Sequence, residues 1–366
     1  MTRTSTAALH LVVDCRYVRV GRHDGISRFT AGVASALVPL ARAAGHDVTL
    51  LVNDVRQLDK LPEAPHQLVS APTSPREPLV ARQVNRVKPE VVWSPMQTMG
   101  SFGRRYRLVL TLHDLIYYTN RTPPPEFALP IRLLWRLYHL AWWPQRLLLN
   151  RADEIATVSE TTAAEIAAHQ LTSKPVTVVY NAADPQTAEP RIQPTARNLV
   201  YMGSFMPYKN VRSLARALLR LDGYRLHLMS RVSDREREEL ERLAPPTSLV
   251  FHDGASDEEY RDVLLGATAV VTASKAEGFG IPVIEGMALG TPAVISDIPI
   301  FREVGGEAAL YFDPDSPASI ADAVLKLAEP GEWARRSEAS VAQAALFSWE
   351  SSATTLLEVL ERVGRR

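Results

Sequence analysis

Cysteine, long apolar runs and net charge are what this 366-residue chain has least of. Its single cysteine, Cys15, excludes an internal disulfide and is typical of a reducing compartment. Lysine plus arginine equals aspartate plus glutamate at 41 each, so no overall field favours nucleic acid or an anionic surface. No segment has the apolar length of a membrane span, and Asp14 interrupts an N-terminal apolar run too short for a signal peptide. These absences favour a cytoplasmic protein.

The length of the chain suits two domains, each large enough to bury its own core. A strand, helix, strand order over residues 10–52 predicts a parallel sheet and therefore an α/β fold. The proline-dense stretch 62–78 predicts an irregular surface loop, and a second proline-rich stretch, 184–194, predicts the linker between domains. We therefore expect one domain over 1–183 and another over 184–347.

The most informative stretch is 269–304, which reads AVVTASKAEGFGIPVIEGMALGTPAVISDIPIFREV. Its first four residues are apolar or β-branched and predict a strand that is buried on both faces. Pro282 suits the start of a helix, because its fixed φ fits there and it has no N–H to lose. Gly290 is typical of the end of that helix. The pattern predicts a strand, loop, helix, strand unit.

The loop before this predicted helix has the composition of an anion site. Gly278 and Gly280 allow the free N–H groups of the helix start to approach a phosphate closely. Glu277 and Glu285 flank the spot, and carboxylates accept hydrogen bonds from sugar and ribose hydroxyls. The loop therefore predicts a ligand that carries both phosphate and hydroxyl groups.

Two alternatives to this interpretation stand beside it. A dinucleotide site would use Gly278, Gly280 and a ribose-binding Asp297, but Val283 occupies the position of the third glycine and Glu277 would repel a pyrophosphate. The other alternative is an ordinary strand-to-helix corner with incidental acidic residues.

Glu277 and Glu285, with seven residues between them around Gly-Phe-Gly-Ile-Pro, resemble the double-glutamate signature of the retaining family-4 glycosyltransferases. The similarity continues in register through GMALGTPAVISDIPIFREVGGEAALYFDPDSPASIADAV. The resemblance implies the GT-B fold, with two facing Rossmann-like domains. It implies that 1–183 is the acceptor domain and 184–347 the nucleotide-sugar donor domain. It also implies that the amphipathic C-terminal helix 348–366 packs back on the first domain.

The resemblance assigns donor-binding residues in the second half. Lys209 matches the lysine that the family places on the donor diphosphate, in a glycine loop that starts at Gly203. Ser204 stands where the family has an arginine, so we expect Lys209 to act with backbone donors or with another arginine, Arg231 or Arg28. The remaining donor-binding predictions are the loop residues Gly278, Phe279, Gly280 and Ile281, the ribose ligand Glu285, and His252 near the nucleotide base.

In the first half the resemblance points to two short motifs. Asp24-Gly25-Ile26-Ser27-Arg28 is similar to a family turn with two glycines that faces donor phosphates or acceptor, and Ser27 replaces the second glycine. A plain helix start is the alternative there. His113 follows a predicted strand and matches the family histidine that contacts the transferred sugar; Asp114 would orient its ring or cap the next turn.

An unusually apolar segment, 131–149, lies between these motifs and the linker. A helix over this segment can place Ile131, Leu134, Trp135, Tyr138 and Trp142 on one face, with Arg132, Arg136 and His139 elsewhere. The segment is either an ordinary domain helix or an interfacial helix that touches a membrane and a lipid-linked acceptor.

The resemblance predicts transfer of a hexose, mannose from GDP-mannose first, to an acceptor hydroxyl on a glycolipid or cell-envelope glycan precursor. We expect His113, Lys209 and Glu277 to be the catalytic residues. No metal or other cofactor is expected, because Asp313-Pro314-Asp315 lies in a proline turn. Nucleic acid is excluded as a partner, and the membrane contact would be peripheral. The functional alternatives are an NAD(P)-dependent oxidoreductase, a phosphorylase or epimerase, and a non-catalytic sugar-nucleotide binding protein.

Overall fold

The computed structural model describes residues 8–21, 24–123, 129–184 and 191–366, which divide into two compact units. The first unit runs to Asn181 and also contains Ser348–Arg366; the second is Ala182–Phe347. The predicted boundary after residue 183 lies just beyond the observed one. Most of the predicted linker lies outside the described residues.

Each unit contains one parallel sheet, which confirms the predicted fold class of two α/β domains. The first sheet has the order β3-β2-β1-β4-β5-β6-β7 and the second the order β10-β9-β8-β11-β12-β13. The strands are β1 His10–Asp14, β2 Asp47–Val52, β3 His66–Leu68, β4 Val91–Ser94, β5 Arg107–Leu112, β6 Glu154–Thr157, β7 Val176–Val178, β8 Asn198–Tyr201, β9 Arg225–Leu228, β10 Leu249–Phe251, β11 Ala269–Thr272, β12 Ala293–Ser296 and β13 Leu310–Phe312. The central strands are mostly apolar because helices cover both faces of such sheets.

The helices alternate with the strands, as parallel connections require. They are α1 Gly25–Ala43, α2 Ala81–Val84, α3 Ile116–Thr119, α4 Leu129–Tyr138, α5 Trp143–Leu149, α6 Glu160–Ala168, α7 Val211–Ala217, α8 Asp234–Glu241, α9 Asp257–Gly266, α10 Ile281–Ala288, α11 Pro299–Gly305, α12 Pro317–Lys326, α13 Glu332–Ala344 and α14 Trp349–Gly364. Among the described residues, no helix is long and apolar enough to cross a membrane.

Helix α14 packs against α1 and completes the core of the first unit. A Cβ atom at Gly32 of α1 would lie only 2.4 Å from the Trp349 ring, so a side chain there would push the helices apart. Leu356 and Leu360 of α14 are fully buried. Burial of each such side chain contributes about 1.5–3 kcal/mol. The last residues of the chain are therefore part of the first domain's core.

Two local predictions are wrong. The segment 131–149 is not one helix: α4 ends at Tyr138, and α5 begins at Trp143 with Pro144 in its first turn, where proline is tolerated. The stretch 62–78 is not wholly irregular, because it contains the edge strand β3. Pro65 is compatible with the edge of the sheet. Its carbonyl accepts a hydrogen bond from Leu50 N (2.8 Å), and its lack of a backbone N–H costs no ladder bond there.

Candidate active site

Gly280 determines the geometry of the loop between β11 and α10. It precedes α10 in a left-handed conformation with φ of +97°, which L side chains rarely adopt. A Cβ atom there would also lie 2.8 Å from the Phe301 ring. Pro282 sits in the first turn, as predicted. The chain therefore enters α10 through a conformation that strongly favours glycine at residue 280.

The neighbours of Gly280 have different environments. The side chain of Phe279 is buried and meets Phe347 edge-on, with ring centroids 5.4 Å apart. Phe279 therefore anchors the loop, and only its backbone is available to a donor. Ile281 and Glu285 are half-buried, and Glu285 lies one turn inside α10. Glu277 and Glu285 thus stand on either side of the helix start.

Lys209 and Glu277 form an ion pair, with Nζ 2.6 Å from Oε1. Lys209 comes from the loop after β8 and Glu277 from the loop after β11, and these two strands are neighbours in the sheet. Their side chains are 16% and 13% exposed, so water screens the pair only in part. Lys275 N also donates to Tyr208 O (2.8 Å), which ties the two loops together. The fold brings a cation and a carboxylate together at the carboxyl edge of the second sheet.

The glycine loop after β8 is held by side chains of its own sheet. Gly203 N donates to Ser230 Oγ (3.2 Å), and the Tyr201 hydroxyl donates to Ser204 O (2.6 Å). A Cβ atom at Gly203 would lie 2.7 Å from that hydroxyl. Arg231 is exposed and directly follows Ser230. Ser204 replaces an arginine of the family, and Arg231 and Arg28 were the two predicted substitutes. Arg231 lies in the same domain as Ser204, whereas Arg28 lies in the first domain.

His252 follows β10 and has both ring nitrogens engaged. Its Nδ1 lies 2.6 Å from Glu259 Oε1, and its Nε2 lies 3.0 Å from Nδ1 of His227. Burial, followed by repulsion from His252, lowers the pKa of His227 to about 4, so His227 is neutral near pH 7. The predicted contact of His252 with a donor base would have to compete with these two bonds.

His113 lies at the end of β5 in the first domain, as predicted. Its Nε2 is 2.8 Å from Pro95 O, which can only accept, so Nε2 carries the proton and Nδ1 is an acceptor. Its ring also packs edge-on against Phe29, with centroids 5.1 Å apart. Burial lowers the pKa of His113 to about 4. Asp114 Oδ1 accepts from Ile116 N (3.1 Å), so this carboxylate caps the following turn.

Gly25 and Arg28 lie in the first turn of α1. Asp24 caps the helix by accepting from Ser27 N (2.9 Å). The Ser27 hydroxyl in turn accepts from Arg19 N (2.9 Å), so the residue that replaces the family's second glycine has a structural partner. Arg28 is half-buried on the same turn.

A buried ionic cluster at the end of β1 was not predicted from the sequence. Arg16 donates to both carboxylate oxygens of Asp14 (2.7 and 2.9 Å) and to both of Glu77 (2.6 and 3.0 Å). Ser94 Oγ donates to Asp14 (3.0 Å), and Gly100 N donates to Glu77 (3.1 Å). Asp14 is the last residue of the buried strand β1 and Arg16 lies two residues after it, which was an available signal. Glu77 could not be found, because it lies in the stretch predicted to be irregular.

The described residues contain no group of three His, Cys, Asp or Glu side chains that could hold a metal ion. Asp315 of the Asp-Pro-Asp motif is ion-paired with Lys275. Asp297, the acid of the dinucleotide alternative, directly follows β12 and accepts from Arg302 through both oxygens (2.7 and 2.8 Å). A ribose at Asp297 would therefore have to displace Arg302.

Comparison with known families matches nearly the whole chain in two parts. Residues 24–187 match the model for Glycosyltransferase Family 4, and residues 196–330 match the model for Glycosyl transferases group 1. The chain is built from two glycosyltransferase domains. The predicted enzyme class is therefore confirmed.

Solved structures show the same fold for this glycosyltransferase. Sucrose-phosphate synthase from Thermosynechococcus elongatus has a TM-score of 0.72 at 17% identity, over 97% of this chain and 98% of that one. Anabaena HepE, solved with UDP and glucose, has a TM-score of 0.70 at 17% identity, over 97% of this chain and all of that one. These GT-B neighbours confirm the predicted architecture.

Relatives with similar sequences include mannosyltransferases. An O-antigen chain mannosyltransferase of Salmonella typhimurium is 27% identical, over 64% of this chain and 68% of its own length. An MMP alpha-(1->4)-mannosyltransferase of Mycolicibacterium hassiacum is 27% identical, over 70% of this chain and 66% of its own length. O-antigen chain mannosyltransferase B of Escherichia coli is 30% identical, and the match spans only 43% of its length. Two of these relatives are named as mannosyltransferases of the O-antigen chain.

Proposed function

We propose that this glycosyltransferase moves a hexose, mannose first, from a nucleotide diphosphate sugar to a hydroxyl of a glycan or glycolipid acceptor, with retention of configuration. The observation that carries the proposal is the Lys209–Glu277 pair beside the start of α10. A sugar diphosphate needs one cation for its phosphates and one carboxylate for its hydroxyls, and both are present within one small region.

In this proposal each group of the donor has its own partner. Lys209 and the N–H groups at Gly280 and Ile281 bind the diphosphate, because the helix start is positive and its N–H groups lack intrahelical partners. Glu277 accepts from the hydroxyls of the transferred sugar, and Glu285 accepts from the ribose. The Lys209–Glu277 bond exchanges for bonds to the donor when it binds.

The chemistry follows from the leaving group. As the bond between the anomeric carbon and the diphosphate oxygen breaks, negative charge grows on that oxygen, and Lys209 with the α10 N–H groups stabilises it. The acceptor hydroxyl forms the new bond on the same face of the sugar and gives its proton to the departing phosphate oxygen. His113 contributes an uncharged acceptor, Nδ1, for a sugar hydroxyl. No step in this scheme needs a metal ion.

The choice of mannose and of an envelope acceptor rests on the mannosyltransferase relatives. Cytoplasmic nucleotide sugars would supply the donor, so we propose that the protein acts in the cytoplasm. UDP-glucose is the second donor to test, because UDP and glucose are the ligands in the solved HepE structure.

The test begins with thermal unfolding against GDP, UDP, dTDP and ADP sugars. The true donor at 100 times its dissociation constant stabilises the folded protein by about 2.7 kcal/mol. Proton NMR of the product made from that donor then reads the anomeric configuration. An inverted product refutes retention, and donor binding without transfer to any envelope glycan supports a non-catalytic binding protein instead.

A further inference from the structure

Helix α4 exposes its leucines. Leu133 and Leu137 are one turn apart and share a face, and they are 61% and 55% exposed. Leu134 beside them is 68% exposed, and Leu140, in the turn after the helix, is 58% exposed. Trp143 at the start of α5 extends the surface at 65% exposed. We call these five side chains the leucine surface.

Trp135 and Tyr138, on the other side of α4 from Leu133 and Leu137, pack against the first domain. Trp135 lies against Tyr117 (centroids 5.0 Å apart), and Tyr138 packs against the core and donates to Gln145 (2.9 Å). Trp142 stacks between Tyr118 and His169, at 3.9 and 4.0 Å. Ile131 and Leu134, which were predicted to share the face of Trp135, are instead 53% and 68% exposed. The aromatic residues therefore hold the helix in place and leave the leucine surface exposed. Exposed apolar patches mark interaction sites in soluble domains.

The charged residues of the segment that carries the leucine surface all have one sign. Residues 127–152 contain four arginines and neither aspartate nor glutamate. Arg146 donates to the carbonyls of His169 and Gln170, whereas Arg132 and Arg136 of α4 have no ion pair among the described residues. Because the whole chain is neutral, any electrostatic attraction to an anionic partner must come from a local group of basic residues, and this segment contains one.

We propose that the leucine surface, with Arg132 and Arg136 on its helix, docks this protein on an anionic lipid bilayer. Leucines and a tryptophan on one side of a surface helix, with arginines and no acids, match helices that lie in the plane of the headgroups. A second copy of the chain is a poorer occupant, since it would bring the same arginines to the contact without carboxylates to pair with them. This inference rests on α4 and α5 alone and does not depend on the proposed donor chemistry.

The full-length protein is mixed with vesicles of phosphatidylcholine alone or with phosphatidylglycerol added, and binding is measured by co-sedimentation. We expect binding to the anionic vesicles that falls as salt rises, together with a blue shift of Trp143 emission that is absent in Trp143→Phe. The double variant Leu133→Ser with Leu137→Ser should lower the partition coefficient about tenfold. The matched control is Leu219→Ser with Leu346→Ser, because these leucines are equally exposed (66% and 68%) but lie in the other domain.

A second variant, Arg132→Gln with Arg136→Gln, should remove most of the preference for anionic over neutral vesicles. Nucleoside diphosphate affinity should remain unchanged in all these variants, which separates loss of docking from misfolding and from failure of the proposed function. Absence of vesicle binding by the wild-type protein at low salt overturns the proposal. Self-association by sedimentation velocity that Leu133→Ser with Leu137→Ser abolishes, without vesicle binding, assigns the surface to a second copy instead.

Discussion

The strand ends that carry the predicted site residues differ in charge between the two domains. In the first domain, β5 ends at His113, whose ring is neutral near pH 7 and packs against Phe29. In the second, the loops after β8 and β11 bring together the charged pair Lys209 and Glu277. The first site offers a hydrogen-bond acceptor without charge, and the second offers a cation together with a carboxylate.

This difference fits the two kinds of group that a sugar donor contains. A diphosphate needs charge to balance its own, and that balance is worth most where water is partly excluded. A sugar hydroxyl is recognised through directed hydrogen bonds, for which a neutral imidazole with one fixed acceptor is sufficient. The comparison therefore predicts that charge matters for function in the second domain and that neutrality matters in the first.

Removal of the Lys209 cation should have the largest effect on activity. We expect Lys209→Ala to lower kcat/KM by a hundredfold or more, about 3 kcal/mol of transition-state stabilisation, because the departing diphosphate loses its cation. Steady-state kinetics with the donor identified by thermal unfolding measures this. Lys275→Ala is the control, because Lys275 is also ion-paired and lies in the loop after β11.

Lys209→Ala also leaves Glu277 without its partner, so the double variant Lys209→Ala with Glu277→Gln is needed. It should be at least as slow as the single variant. Recovery of wild-type activity in the double variant would mean that Lys209 serves only to neutralise Glu277.

Glu277 and Glu285 are proposed to bind different parts of the donor in the second domain. Glu285→Gln should weaken binding of the free nucleoside diphosphate about tenfold, because an amide accepts from ribose hydroxyls less strongly than a carboxylate. Glu277→Gln should leave that affinity nearly unchanged and reduce turnover, because its partner is the transferred sugar. Calorimetry and kinetics on both variants separate the roles. The reverse pattern would exchange the two assignments.

The stability of the first domain should depend on pH through His113. The pKa of His113 is lowered from 6.5 to about 4 by burial, so between these values the unfolded chain binds a proton that the folded chain does not. The free energy of unfolding should therefore fall as pH drops from about 6.5 to about 4. His113→Gln should lose less thermal stability than the wild type between pH 7 and pH 5.

His66→Gln is the matched control for that measurement, since His66 is an exposed histidine in the same domain. The pKa of His227 is also lowered to about 4, so the stability of the second domain should fall with pH in a similar way. An unchanged pH dependence in His113→Gln would show that this ring is not buried as a neutral group.

The smallest expected effect is that of metal removal. Because Lys209 supplies the positive charge in the proposed scheme, dialysis against EDTA should leave the transfer rate unchanged. The assay uses the same donor and acceptor before and after addition of Mg²⁺ or Mn²⁺. A rate that depends on added metal would require a cation at the diphosphate besides Lys209.

Local patterns predicted the strands and the residues at their ends. The bounds of β1 and β11 agree with the prediction because runs of buried apolar residues are specific to strands in parallel sheets. The edge strand β3 was missed because His66–Leu68 is half-exposed and lies among prolines. The contact of Lys209 with Glu277 depends on the pairing of β8 with β11, which no local pattern contains.

Helices α4 and α14 show a second limit of prediction from sequence. Both have an apolar face, and the face of α14 is covered by α1, whereas the leucines of α4 are exposed. Periodicity shows which residues share a face but not whether another element covers it. Trp142 and Trp143 are adjacent in sequence but differ in environment. Trp142 is stacked between two rings, whereas Trp143 is exposed.

The place of α14 in the first domain also affects how the protein is made. Gly32 accommodates Trp349 in this core, yet the ribosome adds α14 only after the whole of Ala182–Phe347. At typical rates of synthesis that interval lasts on the order of ten seconds. Throughout it, the face of α1 that packs against α14 is uncovered, and the second domain can fold first. The core of the first domain is therefore completed only after the second domain has been synthesised.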